Sequence, residues 1–314
     1  MRKYIILSLL AVSICQTMGA NGRQAGSELA LADPCVLLDD GVYYAYGTYS
    51  PDGILVYQSE DLRTWKPCGH ALHKSNTTEN QKFWAPEVVK RNGQYYMYYS
   101  ANERLYVAVS QSPLGPFRQV AGPMLDEGSI DGSPFLDDDG KWYFFLVRFR
   151  KGNQIWVARM TDDGLGLQKE TLHLCVSAED EWEKDDAHFP GCRVAEGPNV
   201  WKHDGRYYLT YSANHYQSHK YGVGVAVSEN ILGSWKKVSY NPLLQQSFGL
   251  SGTGHHGLFF DKKGHLMMMF HAHKSAQSVH PRMSYIVRMK SHKLKDGTRK
   301  LGIGRRLIVP RVQH

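Results

Sequence analysis

Asp33, Asp131 and Glu196 are the residues of this chain whose types and placing could do chemistry. Each stands beside a turn former, as Asp33-Pro34, Asp131-Gly132 and Glu196-Gly197. Each also precedes a glycine at nearly one distance: Asp33 by eight residues before Gly41, Asp131 by nine before Gly140, Glu196 by nine before Gly205. Singly, a carboxylate next to Pro or Gly is more readily a turn former than a reactive group. The shared offset changes that reading, because it predicts that all three occupy equivalent positions of successive strands and converge. Carboxylates forced together repel, which raises the pKa of one and leaves another ionised. Acid/base hydrolysis of a sugar acetal requires that division of labour.

The elements that must position them announce themselves in a phrase written five times. Asp40-Gly41, Asn92-Gly93, Asp139-Gly140, Asp204-Gly205 and Lys263-Gly264 each lead into an aromatic or apolar run, such as Tyr43-Tyr44-Ala45-Tyr46. The glycines are 52, 47, 65 and 59 residues apart, a spacing that marks a repeat architecture. Asp-Gly and Asn-Gly between apolar runs supply the positive φ angles of a tight hairpin turn. A second β-rich run follows each hairpin: Ile54–Ser59, Leu105–Ser110, Ile155–Met160, Val223–Ser228 and Ser284–Met289. Three to four strands per unit is one propeller blade. Helical solenoids fit poorly, since aromatic strand formers dominate the repeats and no long stretch shows apolar residues at helical spacing. A large β-sandwich would also bury Tyr-rich strands, but the even fivefold recurrence argues against it. The sequence therefore predicts an all-β, five-bladed β-propeller, a single domain over residues 21–314.

Residues 1–20 read as an export signal, with Met1-Arg2-Lys3, an apolar run from Tyr4 to Ile14, and Gly19-Ala20 at the cleavage point. Cys15 offers the alternative of a lipid anchor. The predicted location is periplasmic or extracellular, and no other segment is apolar enough to cross a membrane. The formal charge is +7, and removal of Arg2 and Lys3 leaves +5. The basic residues scatter over a terminal strand region instead of forming a nucleic-acid motif, so they read as solvated surface. Cys35, Cys68, Cys175 and Cys192 match no zinc pattern; Cys175 and Cys192 could staple one loop or stay free thiols. The charged segment between Ser177 and Arg193 reads as a solvated rim loop placed to shape the site. His271 and His273 share one strand face and read as pore lining or packing.

Taken together the phrases resemble glycoside hydrolase family 43, the five-bladed propellers that cleave arabinose- and xylose-containing polysaccharides. The resemblance is carried by Ala32-Asp33-Pro34, Trp84-Ala85-Pro86-Glu87, Ile130-Asp131-Gly132-Ser133-Pro134-Phe135, Glu196-Gly197-Pro198 and Gly252-Thr253-Gly254-His255-His256. It implies that Asp33 is the general base activating water and Glu196 the general acid. Asp131 is then the carboxylate that orients Glu196 and modulates its pKa. It also implies inversion, which needs the Asp33 and Glu196 carboxyls roughly 6.5–9.5 Å apart. Trp84 becomes a sugar-facing aromatic, with a core Trp as the alternative; Arg282 becomes a sugar-binding cation, with plain surface charge as the alternative; and His255 becomes a histidine near a calcium or other ion on the propeller axis, no cofactor being required. Read alone, His255 is as readily a buried histidine, and no dense carboxylate shell accompanies it. Gly132 departs from the usual pattern. The short remainder after the fifth blade leaves no room for the extra β-sandwich of some xylosidases, which leans the expectation toward arabinan. The competing readings are a carbohydrate-binding propeller without turnover and a five-bladed glycosidase acting on another sugar.

Overall fold

The computed structural model describes residues 26–313, so the expected leader and Cys15 lie outside the described residues. Five sheets, one from each repeat and antiparallel within each blade, form a β-propeller. The innermost strands are Ala32–Asp39, Trp84–Arg91, Ser129–Leu136, Ala195–His203 and Gly254–Phe260 in blades one to five. Each runs through its hairpin into a second strand: Val42–Ser50, Gln94–Ala101, Trp142–Arg150, Arg206–Ala213 and Leu266–Ala272. Third and fourth strands follow outward in every sheet.

The aromatic runs are explained by burial on both faces. In blade two, Tyr95, Met97 and Tyr99 join the cluster shared with blade one, whereas Tyr98 joins the cluster shared with blade three. The same holds in blade four, where Leu209 and Tyr211 pack toward blade three and Tyr208 toward blade five. Strands buried on both faces lose the polar alternation of a half-exposed sheet. Five apolar clusters result, one in each seam between neighbouring blades, including the one that joins blades five and one.

Two kinds of turn join first and second strands. Asp40-Gly41, Asn92-Gly93 and Asp204-Gly205 all have positive φ at both residues, the mirror-image turn of a two-residue hairpin. In blades three and five only Gly140 and Gly264 are left-handed, and the loops span Asp137 to Lys141 and Asp261 to His265. The hairpins are thus not uniformly tight, and blades three and five carry one residue more.

The ring closes through backbone pairing. Arg311–Val312 lies parallel to the outermost strand of blade one (Thr64–His73), and Ser27–Glu28 pairs on its other side. Cys35, Cys68, Cys175 and Cys192 are all free thiols, so Cys175 and Cys192 do not pair. The rim segment is less solvated than its charges suggest. Glu183 is fully buried, accepting the Glu179 and Asp180 amides at 2.7 Å each, the Tyr211 hydroxyl at 2.6 Å and the Lys237 ammonium at 2.5 Å. Asp185 is buried as well, accepting the Ser218 hydroxyl. A buried carboxylate persists when its oxygens are saturated by donors, as here. Among the described residues no helix is long and apolar enough to cross a membrane.

Candidate active site

Every innermost strand breaks its ladder once, at the axial end, with a bulge. One residue at each bulge is left-handed: Asp33 (φ 50°), Ala85 (43°), Asp131 (55°), Gly197 (55°) and His255 (40°). These five are the true equivalents around the axis. Asp33 and Asp131 therefore match, but Glu196 lies one residue before its bulge, at the position of Trp84 in blade two. The expected equivalence of all three carboxylates is corrected accordingly. Counting back from the hairpin glycine hid the offset, because blade three carries the longer turn and blade four the tight one. Bulges re-aim side chains, and here they turn residues of five strands toward one pocket.

That pocket has a volume of about 560 Å³, within the usual range for small-molecule sites. Asp33, Trp84, Asp131, Glu196, His255 and Arg282 all line it, so the structure brings together every site residue expected from the sequence. Asp33 is held from three sides. Arg282 Nη1 and Nη2 donate to its two oxygens at 2.7 and 3.3 Å, while His255 Nδ1 and His271 Nδ1 each lie 3.3 Å from Oδ1. Burial alone would raise its pKa, but the Arg282 guanidinium and the His255 charge outweigh it and hold the carboxyl well below the usual range. His271 is fully buried and accepts the Asp33 amide on Nδ1 at 3.2 Å; burial and the Arg282 charge push it down to about 3.

Asp131 has the opposite environment. Burial pushes it up to about 7, with His255 opposing and the Glu196 and Asp33 charges adding. Its Oδ2 accepts the Gly197 amide at 3.1 Å and lies 4.0 Å from His255 Nδ1. For His255, burial works against the proton, but the Asp33, Asp131 and Glu196 charges prevail and raise its pKa. Glu196 is oriented by two donors, the Tyr221 hydroxyl at 2.7 Å to Oε1 and Asn153 Nδ2 at 3.2 Å to Oε2. Burial raises the Tyr221 phenol far above its ordinary value, so it stays a donor. Its ring stacks on His271 at 5.7 Å.

Tyr221, Asn153, His271 and Tyr216 are site residues that sequence reasoning did not assign. Tyr216 lines the pocket, with the Arg282 guanidinium 5.0 Å from its ring centre. Asn153 and Tyr221 belong to no repeated phrase; only the folded hairpins carry them to Glu196. Arg282, expected to bind sugar, is engaged by Asp33. The departure at Gly132 has a packing cause, since a Cβ there would lie 2.3 Å from the Phe144 ring and 2.9 Å from Leu105. Among the described residues no three His, Cys, Asp or Glu side chains converge as a metal-ligand set. His255 is turned to two carboxylates, an arrangement that does not supply the oxygen-rich shell calcium takes.

The model of the family described as Glycosyl hydrolases family 43 matches residues 27–301, nearly all of the described chain. The chain belongs to glycosyl hydrolases family 43. Among solved structures, the family member is similar to an endo-1,4-β-xylanase from Bacteroides thetaiotaomicron, with 44% identity and a TM-score of 0.85 over 91% of this chain and 98% of that one. A thermostable family-43 glycoside hydrolase matches with 33% identity and a TM-score of 0.81, over 92% and 97% of the two chains. The xylosidase/arabinosidase 43A of Humicola insolens is 29% identical over 42% of this chain, which spans about half (51%) of that relative. As a member of family 43, the chain is a glycoside hydrolase.

Proposed function

We propose that this family 43 enzyme hydrolyses xylose- or arabinose-containing plant polysaccharides or their oligosaccharides with inversion at the anomeric carbon. The reading is carried by one observation: Asp33, kept ionised by Arg282, faces the same pocket as Glu196 and the raised Asp131. Asp33 takes a proton from water, whose oxygen attacks the anomeric carbon. The bond from that carbon to the leaving oxygen breaks as Glu196 delivers its proton to that oxygen. Asp131 holds the charge balance of the pair. Trp84 and Tyr216 supply the apolar faces against which a sugar ring rests. Xylan takes first place, since the relative sharing 44% identity is described as a xylanase; the Humicola relative's description keeps arabinosides second. The export signal expected over residues 1–20 supports action outside the cytoplasm.

The test compares the protein with Glu196→Gln on xylo-oligosaccharides, an aryl β-xyloside, an aryl α-L-arabinofuranoside and arabinan, with the first-formed anomer read by NMR. Hydrolysis of one class with inversion is expected, and the variant should lose about 10²–10⁴-fold in kcat. Full activity in the variant, or a retained anomer, would overturn the assignment of roles.

A further inference from the structure

The five bulges need an acceptor for the backbone N–H of their left-handed residue, and four obtain it the same way. The Ala85 amide donates to Thr48 Oγ1 at 2.9 Å, Asp131 to Ser100 Oγ at 3.1 Å, His255 to Ser212 Oγ at 2.7 Å, and Asp33 to His271 Nδ1 at 3.2 Å. In every case the acceptor sits on the second strand of the preceding blade. Register fixes its place, opposite the residue that precedes the bulge: Thr48 opposite Ala32, Ser100 opposite Trp84, Ser212 opposite Glu196 and His271 opposite Gly254. The corresponding pair in blade three is Ile130 with Val147.

Valine offers no acceptor. The amide that it would have served is that of Gly197, which donates instead to Asp131 Oδ2 at 3.1 Å. Val147 is fully buried and shares an apolar cluster with Ala195, beside that bulge. Gly197 itself has no freedom to change, since its φ is +55° and a Cβ would lie 3.0 Å from the His255 ring.

We propose that Val147 is a positioning residue: by withholding an acceptor at the one junction where the repeat breaks, it leaves the Gly197 amide to the Asp131 carboxylate. Because that amide belongs to the peptide joining Glu196 to Gly197, Asp131 and Glu196 are held as one unit. The inference rests on the roles proposed above for these two carboxylates. Facing Asp131 are His255 from blade five, Glu196 and Tyr221 from blade four, Asp33 from blade one and Glu87 from blade two. The Gly197 amide stabilises the ionised form of Asp131 against this mixed surrounding, so its loss favours protonation.

Val147→Thr keeps the shape and adds an acceptor; Val147→Ser adds one in less volume, and Val147→Ala loosens packing without adding any. In the hydroxyl variants the acid limb of the kcat/KM profile should move up by about one pH unit, the scale of one amide hydrogen bond. The alanine variant should leave that limb in place. An NMR titration of ¹³C-carboxyl aspartate, with Asp131→Asn to assign the signal, reads the same upward shift of Asp131 without relying on turnover. Equal limbs and an equal titration in all three variants would overturn the proposal, as would a shift in the alanine variant matching that of threonine. Loss of activity in Glu196→Gln with no Val147 effect would sink this inference alone. An unaffected Glu196→Gln with a shifted Asp131 titration would sink the reading of roles and leave the hydrogen-bond exchange standing.

Discussion

Asp33 and Asp131 are the same residue type at the same bulge position, yet their environments drive them apart. Arg282 is the difference, because it reaches Asp33 with two nitrogens while Asp131 receives one backbone amide. Charge-assisted bidentate pairs combine strength with orientation, so Arg282 both ionises the proposed base and aims it. Arg282→Gln should lower kcat by about 10²-fold, the lower end of what a positioned base contributes. The acid limb of kcat/KM should stay near neutrality, since Asp131, at about 7, titrates at higher pH than Asp33. The sign follows from Asp33 starting well below the carboxylate range: its pKa rises in the variant but must climb past Asp131 before it shows. An upward shift of the limb, measured from pH 4 to 9, would make Asp33 the group that sets it.

At the scale of elements, the rim segment shows how a loop becomes a wall. Glu183 ties the turn around Trp182 to Tyr211 and Lys237, and a Cβ on Gly224 would lie 2.6 Å from the Trp182 ring. The segment then presents Phe189, stacked on His215 at 4.5 Å, next to Tyr216 of the pocket. Removing Glu183 leaves the Tyr211 hydroxyl and the Glu179 and Asp180 amides without their acceptor, a loss on the order of 3 kcal/mol in all, while the half-buried Lys237 keeps Asp180 at 3.6 Å. Glu183→Ala should therefore lower stability by that amount in chemical denaturation and raise KM several-fold through the displaced wall. Glu183→Gln, which still accepts the amides, should lose less. Unchanged stability in the alanine variant would mean that the segment is not anchored there.

For the whole molecule, the ring is closed by strand pairing, and all four described cysteines are free. Arg311 donates its amide to Arg63 at 2.7 Å and Leu29 donates to Pro310 at 2.9 Å, tying both ends of the ring to blade one. A chain ending at Val309 should melt several degrees lower, since roughly 2–4 °C accompany each kcal/mol in proteins of this order of size. Reductant should leave the melting temperature of the intact chain unchanged. The blade count was legible because each blade repeats a local chemical need: Asp40, Asn92 and Asp204 beside glycine at positive φ, and aromatic runs buried on both faces. Asp33, Trp84, Asp131, Glu196 and His255 were legible as candidates because they stand in phrases eight or nine residues before those turns, whereas Arg282 stands in no repeated phrase and was a candidate through resemblance alone. Asn153 and Tyr221 were not legible, because their contacts with Glu196 span 43 and 25 residues and depend on where two hairpins end. The sequence by itself determined the repeat, the strands and the identity of three carboxylates, all properties of local composition and period. Only the tertiary structure decided which carboxylate sits on a bulge, which is ionised by Arg282 and which shares the Gly197 amide, because those differences arise from partners in neighbouring blades.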